Sequence, residues 1–153
     1  MKDGMRVNFE RNKSFMKSLM EIINGREVII AGVGKFQQDF EYIFDELKPV
    51  FYISETRIDN YSKPVLKLGE VEKDGLNNQL IIICEAFPAE IEEQLREMGM
   101  QGNGIDYIYG EELFQTLNLD LERLANGRKI AFWGYSSESR RNIQRVEILK
   151  DLS

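Results

Sequence analysis

Apolar residues recur along the chain in two alternating rhythms. From Phe9 to Asn24, Phe15, Leu19, Ile22 and Ile23 fall on one side with Met16 and Met20 beside them, which predicts an amphipathic helix. Asn24 and Gly25 end it, since both tolerate positive φ. Glu27 to Ala31 is a short β-branched run of the kind that forms a strand covered on both faces, as in parallel sheets. Gly32-Val33-Gly34 follows at once. Phe36, Phe40, Ile43, Phe44 and Leu47 then return to helical spacing until Pro49 breaks it. Val50 to Ile53 predicts a second strand, Ser54 to Lys63 a polar loop, and Pro64 to Leu66 a short extended piece. Gln79 to Cys84 is the clearest strand. Pro88 opens a helix marked by Ile91, Leu95 and Met98 and stopped by Gly99. Ile105 to Tyr109 predicts a further strand, Glu111 to Ala125 a helix, Lys129 to Trp133 a last strand and Ser139 to Leu152 a last helix.

Strands that alternate with helices predict an α/β fold: a Rossmann-like, mostly parallel sheet with helices on both faces, preceded by the N-terminal amphipathic helix. The expected organisation is that helix over residues 1–25 and the sheet domain over 26–153. Right-handed crossovers bring every strand C-terminus to one edge, where open sheets of this kind bind ligands. Gly32, Glu55, Cys84 and Gly134 fall at or near it. One segment echoes another. Asn24 to Gly32 and Asn126 to Gly134 align without a gap, each running Asn-Gly-Arg, apolar strand, glycine. Ordinary α/β grammar explains this, and so does a second βα unit starting at Arg128. In the latter case the unit closes the first sheet, or the chain is a fragment of something longer. Closure is the preferred reading, because a lone βα unit cannot bury its own faces.

The turn carries the strongest chemical signal. In a dinucleotide site the first glycine makes the tight turn, and the second lets backbone approach a pyrophosphate at the helix N-terminus. Gly32 and Gly34 match these two roles. The third glycine of the pattern would stand at Gln37, which is not one. The spacing is not that of a nucleoside-triphosphatase loop. Lys35 is placed to contact a phosphate or simply to be solvated. Glu55 lies 23 residues beyond Gly32, close to the ~20 expected of an acidic ribose ligand, with Asp59 as fallback. Arg57 beside it would favour a phosphate there, or is a solvated loop residue. Cys84 and Glu85 end the central strand. Cys84 is read first as a buried structural cysteine. As a nucleophile it would need Glu85 or a helix dipole for activation. Ser136, Ser137 and Ser139, then Arg140, Arg141 and Arg145, offer an anion site, or a helix cap and an exposed face. Trp133 is expected in the core and Tyr135 at its rim.

Composition limits the chemistry. The chain has 153 residues, a net charge of −6, no histidine and one cysteine. The missing histidine removes the commonest general base, the usual triads and histidine metal sites. A single cysteine forbids an intramolecular disulfide and suits a reducing cytoplasm. The acidic excess gives no support for nucleic-acid or anionic-membrane binding, no apolar run reaches the ~18 residues of a span, and the first residues lack a signal-peptide apolar stretch. None of Tyr42, Tyr52, Tyr61, Tyr107, Tyr109 and Tyr135 has a lysine four residues on.

Val28 to Lys35, Val50 to Glu55 and Leu80 to Gly99 together resemble the small Rossmann-like domains of bacterial sugar- and peptide-modifying proteins, over about residues 26 to 115. Such domains accompany glycan-biosynthesis enzymes, some methyltransferases and some radical-enzyme maturases. They are similar to the nucleotide-binding halves of nucleotide-sugar dehydratases and acyltransferases. There the second strand ends in an acidic residue followed by Asn or Asp, where Ser54-Glu55-Thr56 stands here. The resemblance implies a fold and a ligand class, and carries over no catalytic residue. The expected function is a binding module for a nucleotide-containing ligand, NAD(P) or a nucleotide-sugar. Gly32, Gly34, Lys35, Glu55, Cys84 and Glu85 would line its site, and it would serve a biosynthetic enzyme. The alternatives are a non-catalytic interaction domain with a protein partner or a second copy, and a small NAD(P)-dependent oxidoreductase.

Overall fold

The computed structural model describes residues 14–56, 58–71, 76–113, 115, 144 and 147. The helix expected from Phe9 forms as α1 (Ser14–Ile23), with residues 9–13 outside the described set. It ends as the sequence predicts, with Asn24 at φ 48° and Gly25 at φ 74°. There follow β1 (Glu27–Ala31), α2 (Lys35–Ile43), β2 (Tyr52–Ile53), β3 (Val65–Leu66), a 3₁₀ turn at Leu68–Glu70, β4 (Gln79–Ile83), α3 (Ala89–Glu97) and β5 (Tyr107–Tyr109). The 3₁₀ turn was not expected. The second and fifth strands are shorter than the pattern implied, starting at Tyr52 and Tyr107 rather than Val50 and Ile105. Residues 102–105 form a turn instead, with Asn103 and Gly104 at positive φ. A helical segment resumes at 110–113. The expected strand Lys129 to Trp133, residues 116–125 of the expected helix, the Ser136 to Arg145 cluster and Arg57 lie outside the described residues, as do the last helix and the repeat unit from Arg128 apart from Gln144 and Glu147, both helical.

The five strands run in the order β3-β2-β1-β4-β5, and every pair is parallel. Side chains alternate faces along each strand, and both faces are covered. Val28, Ile30, Tyr52, Leu80, Ile82 and Ile108 pack in one cluster with Leu19 and Ile23 of α1 and with Phe40, Ile43 and Phe44 in and just after α2. Ile29, Ala31, Ile53, Ile81, Ile83 and Tyr107 pack with Ile91 and Leu95 of α3. This explains why the strands read as continuous apolar runs: a residue on either face meets a helix. The fold is α/β and Rossmann-like, a five-stranded parallel sheet with helices on both faces.

Arg26 ties α1 to the far edge. Its guanidinium donates to the Ile22 carbonyl (2.6 Å) and the Gly104 carbonyl (3.0 Å), and also to that of Ile105. Its Nε donates to the Ile23 carbonyl at 3.1 Å. A cation here answers the orphan carbonyls of the helix end and fixes the turn into β5.

Candidate functional site

The register brings five strand ends into one row. Ala31 pairs with Ile53 and Ile83, Ile53 with Leu66, and Ile83 with Tyr109. The next residues, Gly32, Ser54, Lys67, Cys84 and Gly110, therefore start the loops of a single edge. Strand order reverses between β1 and β4, because the chain goes outward from β1 to β2 and β3, then returns to the other side. That reversal is where an open α/β sheet leaves a crevice. Gly32 and Cys84 stand on its two sides, and the Cys84 N–H donates to the Ala31 carbonyl at 2.8 Å.

Gly32 is required by its surroundings. It sits at φ 117°, and a Cβ there would lie inside contact distance of the Cys84 carbonyl oxygen and 2.7 Å from Glu85 Cγ. Its N–H donates to the Ile53 carbonyl at 2.8 Å, so the sheet ladder runs through the glycine. Gly34 differs. Its backbone also has a positive φ that favours glycine (φ 159°, ψ −161°), but nothing lies within 4 Å of where a Cβ would be. The turn is thus packed behind and open in front.

Gln37 occupies the slot of the missing third glycine, and it is only 2% exposed. Its Oε1 accepts from the Gly34 N–H at 3.3 Å and from the Tyr61 hydroxyl at 2.9 Å, while its amide donates to Glu41. Tyr52 donates its hydroxyl to the same Glu41 carboxylate at 2.8 Å and meets the Tyr61 ring edge-on at 5.1 Å. Burial and the Glu41 charge together push the Tyr52 phenol above its ordinary range. These four side chains brace the turn from behind. Gln37 itself was the signal: a polar residue at a helix position where the pattern asks for glycine.

The remaining expected site residues separate. Lys35 turns along α2 and pairs with Asp39 at 2.9 Å. Glu55 and Asp59 are exposed on the loop after β2. Cys84 is buried, and a Cβ on Gly110 would sit 3.1 Å from its Sγ. Burial pushes its thiol up, with the Glu41 and Glu85 charges adding to the effect. A thiol kept protonated is a poor nucleophile. Glu85 is half-buried and its side chain lies against Gly32. Burial raises its carboxyl, and so do the charges of Glu90 and Glu55. Phe87, in the same loop, is 87% exposed. A separate cleft of about 340 Å³ lies between α3 and β5, lined by Arg96, Tyr107, Tyr109 and Glu112 among others, and none of the expected site residues reaches it. Among the described residues no group of three His, Cys, Asp or Glu could hold a metal ion. No helix among them is long and apolar enough to cross a membrane.

Comparison with protein-family models, with curated proteins and with solved structures finds no match to this chain. The class is therefore defined by the sheet and its edge alone: a Rossmann-like α/β protein with a glycine turn at its switch point.

Proposed function

We propose that the protein is a binding module for a ligand containing a nucleoside, the class to which NAD(P), nucleotide-sugars and S-adenosyl compounds belong, and that it serves a biosynthetic enzyme. One observation carries this reading. At the strand-order reversal the turn needs glycine at Gly32 for its own packing, yet at Gly34 the space in front is open. A side chain at Gly34 would project into the crevice where such sheets take ligands. Glu55, exposed on the loop after β2, would offer its carboxylate to a ribose hydroxyl, and the exposed ring of Phe87 would offer a face to a planar base.

Thermal unfolding against NAD, NADP, a nucleotide-sugar, S-adenosylmethionine and free nucleosides tests it. Ligand at ~100 times its dissociation constant adds about 2.7 kcal/mol, a shift of several degrees. The shift is expected to vanish in Gly34→Trp, which fills the crevice. The absence of a shift with every member of the panel would refute the reading.

A second reading is a protein-interaction domain that keeps the fold without a ligand. Phe87 favours it, because an aromatic ring this exposed is the kind of anchor that interfaces bury. Phe87→Ala would then weaken a protein complex and leave small-ligand titrations flat.

A further inference from the structure

We propose that the ligand of this edge is a nucleoside whose 5′ substituent carries no phosphate. The inference rests on the nucleoside-binding reading above and narrows it. A pyrophosphate docks on a glycine turn by taking its free N–H groups and a nearby cation. Here the N–H groups of both glycines and the nearby cation have partners. The Gly32 N–H belongs to the sheet, bonded to the Ile53 carbonyl at 2.8 Å. The Gly34 N–H donates to Gln37 Oε1 at 3.3 Å, so the chain's own amide oxygen stands where a phosphate oxygen would. Lys35 is paired with Asp39 at 2.9 Å and directed along its helix.

Displacing Gln37 would cost more than one bond. The same Oε1 accepts from Tyr61, and the amide donates to Glu41, so moving Gln37 aside for a phosphate would also break these bonds of a buried side chain. The charge is also wrong. The Glu85 side chain lies against Gly32, the first glycine of the turn. Glu55 and Glu90 are close enough to raise its carboxyl. A dianion placed here meets carboxylates, whereas a neutral or positively charged 5′ group does not.

Isothermal titration of the intact chain with adenosine, guanosine, cytidine and uridine, each beside its own 5′-diphosphate, tests the inference. One nucleoside is expected to bind, with its diphosphate at least tenfold weaker. Gln37→Ala frees the Gly34 N–H, and Glu85→Gln removes the opposing charge without touching the core. Each is expected to narrow the gap severalfold, and Glu85→Gln serves alone should Gln37→Ala not fold. A diphosphate that binds the unaltered protein as tightly as its nucleoside overturns the inference and leaves the site reading standing. A gap that Glu85→Gln leaves unchanged overturns it too. No binding by any of the eight compounds overturns the inference, and the reading above falls with it only when NAD, NADP, a nucleotide-sugar and S-adenosylmethionine fail as well.

Discussion

Replacing Gly32 with alanine places a methyl group where the structure has no room. At φ 117° an L-residue is strained, at about 1–2 kcal/mol. The added Cβ would also lie 2.8 Å from the Cys84 carbonyl carbon and 2.7 Å from Glu85 Cγ. Glu85 can swing aside, but the Cys84 backbone is held by its bond to Ala31 and by the buried β4 strand. Forcing β1 and β4 apart at that point adds about 1–3 kcal/mol, as overpacking does elsewhere. The sum, about 2–5 kcal/mol, is a large part of the 5–15 kcal/mol typical of a domain. It corresponds to a fall in Tm of roughly 5–20 °C. Gly69→Ala is the control: it is exposed, it has no positive φ and nothing lies within 4 Å of where its Cβ would be, so it should cost about 1 kcal/mol or less. Calorimetric melting of the two variants beside the parent is the assay. Equal Tm values for the two variants, or a Gly32→Ala protein within 2 °C of the parent (a change of under about 1 kcal/mol), would refute the close-packed turn.

Arg26→Ala removes the donors to Ile22, Ile23, Gly104 and Ile105, and should cost about 1–3 kcal/mol in chemical denaturation. Arg26→Lys should recover only part of it, since an ammonium cannot span both carbonyl pairs. The single thiol, Cys84, should react with a disulfide reagent at pH 8 far more slowly in the native protein than in denaturant, and equal rates would contradict its burial. Glu85 has a raised carboxyl, so the native state holds that proton more tightly than the unfolded chain does. Its contribution is fully present at pH values below the unfolded value and is lost as pH rises through the native one. Glu85→Gln should therefore raise Tm at pH 7, and the gain should disappear towards pH 4; an unchanged gain across that range would contradict the carboxylate crowding.

The sequence by itself determined the α/β class and the position of the glycine turn. Both follow from local physics. Ile29, Ile30 and Ile81 to Ile83 are apolar on consecutive positions, which only a strand covered on two faces requires. Asn24, Gly25 and Gly99 mark helix ends because backbone sterics act within a few residues. Other features were settled only by residues distant in the chain. The start of β2 at Tyr52 is fixed by pairing with Ile30 and Val65, not by the apolar character of Val50 and Phe51. The six expected site residues share an edge in sequence logic, yet Lys35 pairs with Asp39 one turn along its own helix, and the tertiary structure buries Cys84 and sets Glu85 against Gly32. Gln37 read as a defect in a pattern. Folded, it is the hub that joins its helical neighbours Gly34 and Glu41 to Tyr61, and that last partner, 24 residues away, is chosen by proximity in space, which local spacing does not encode.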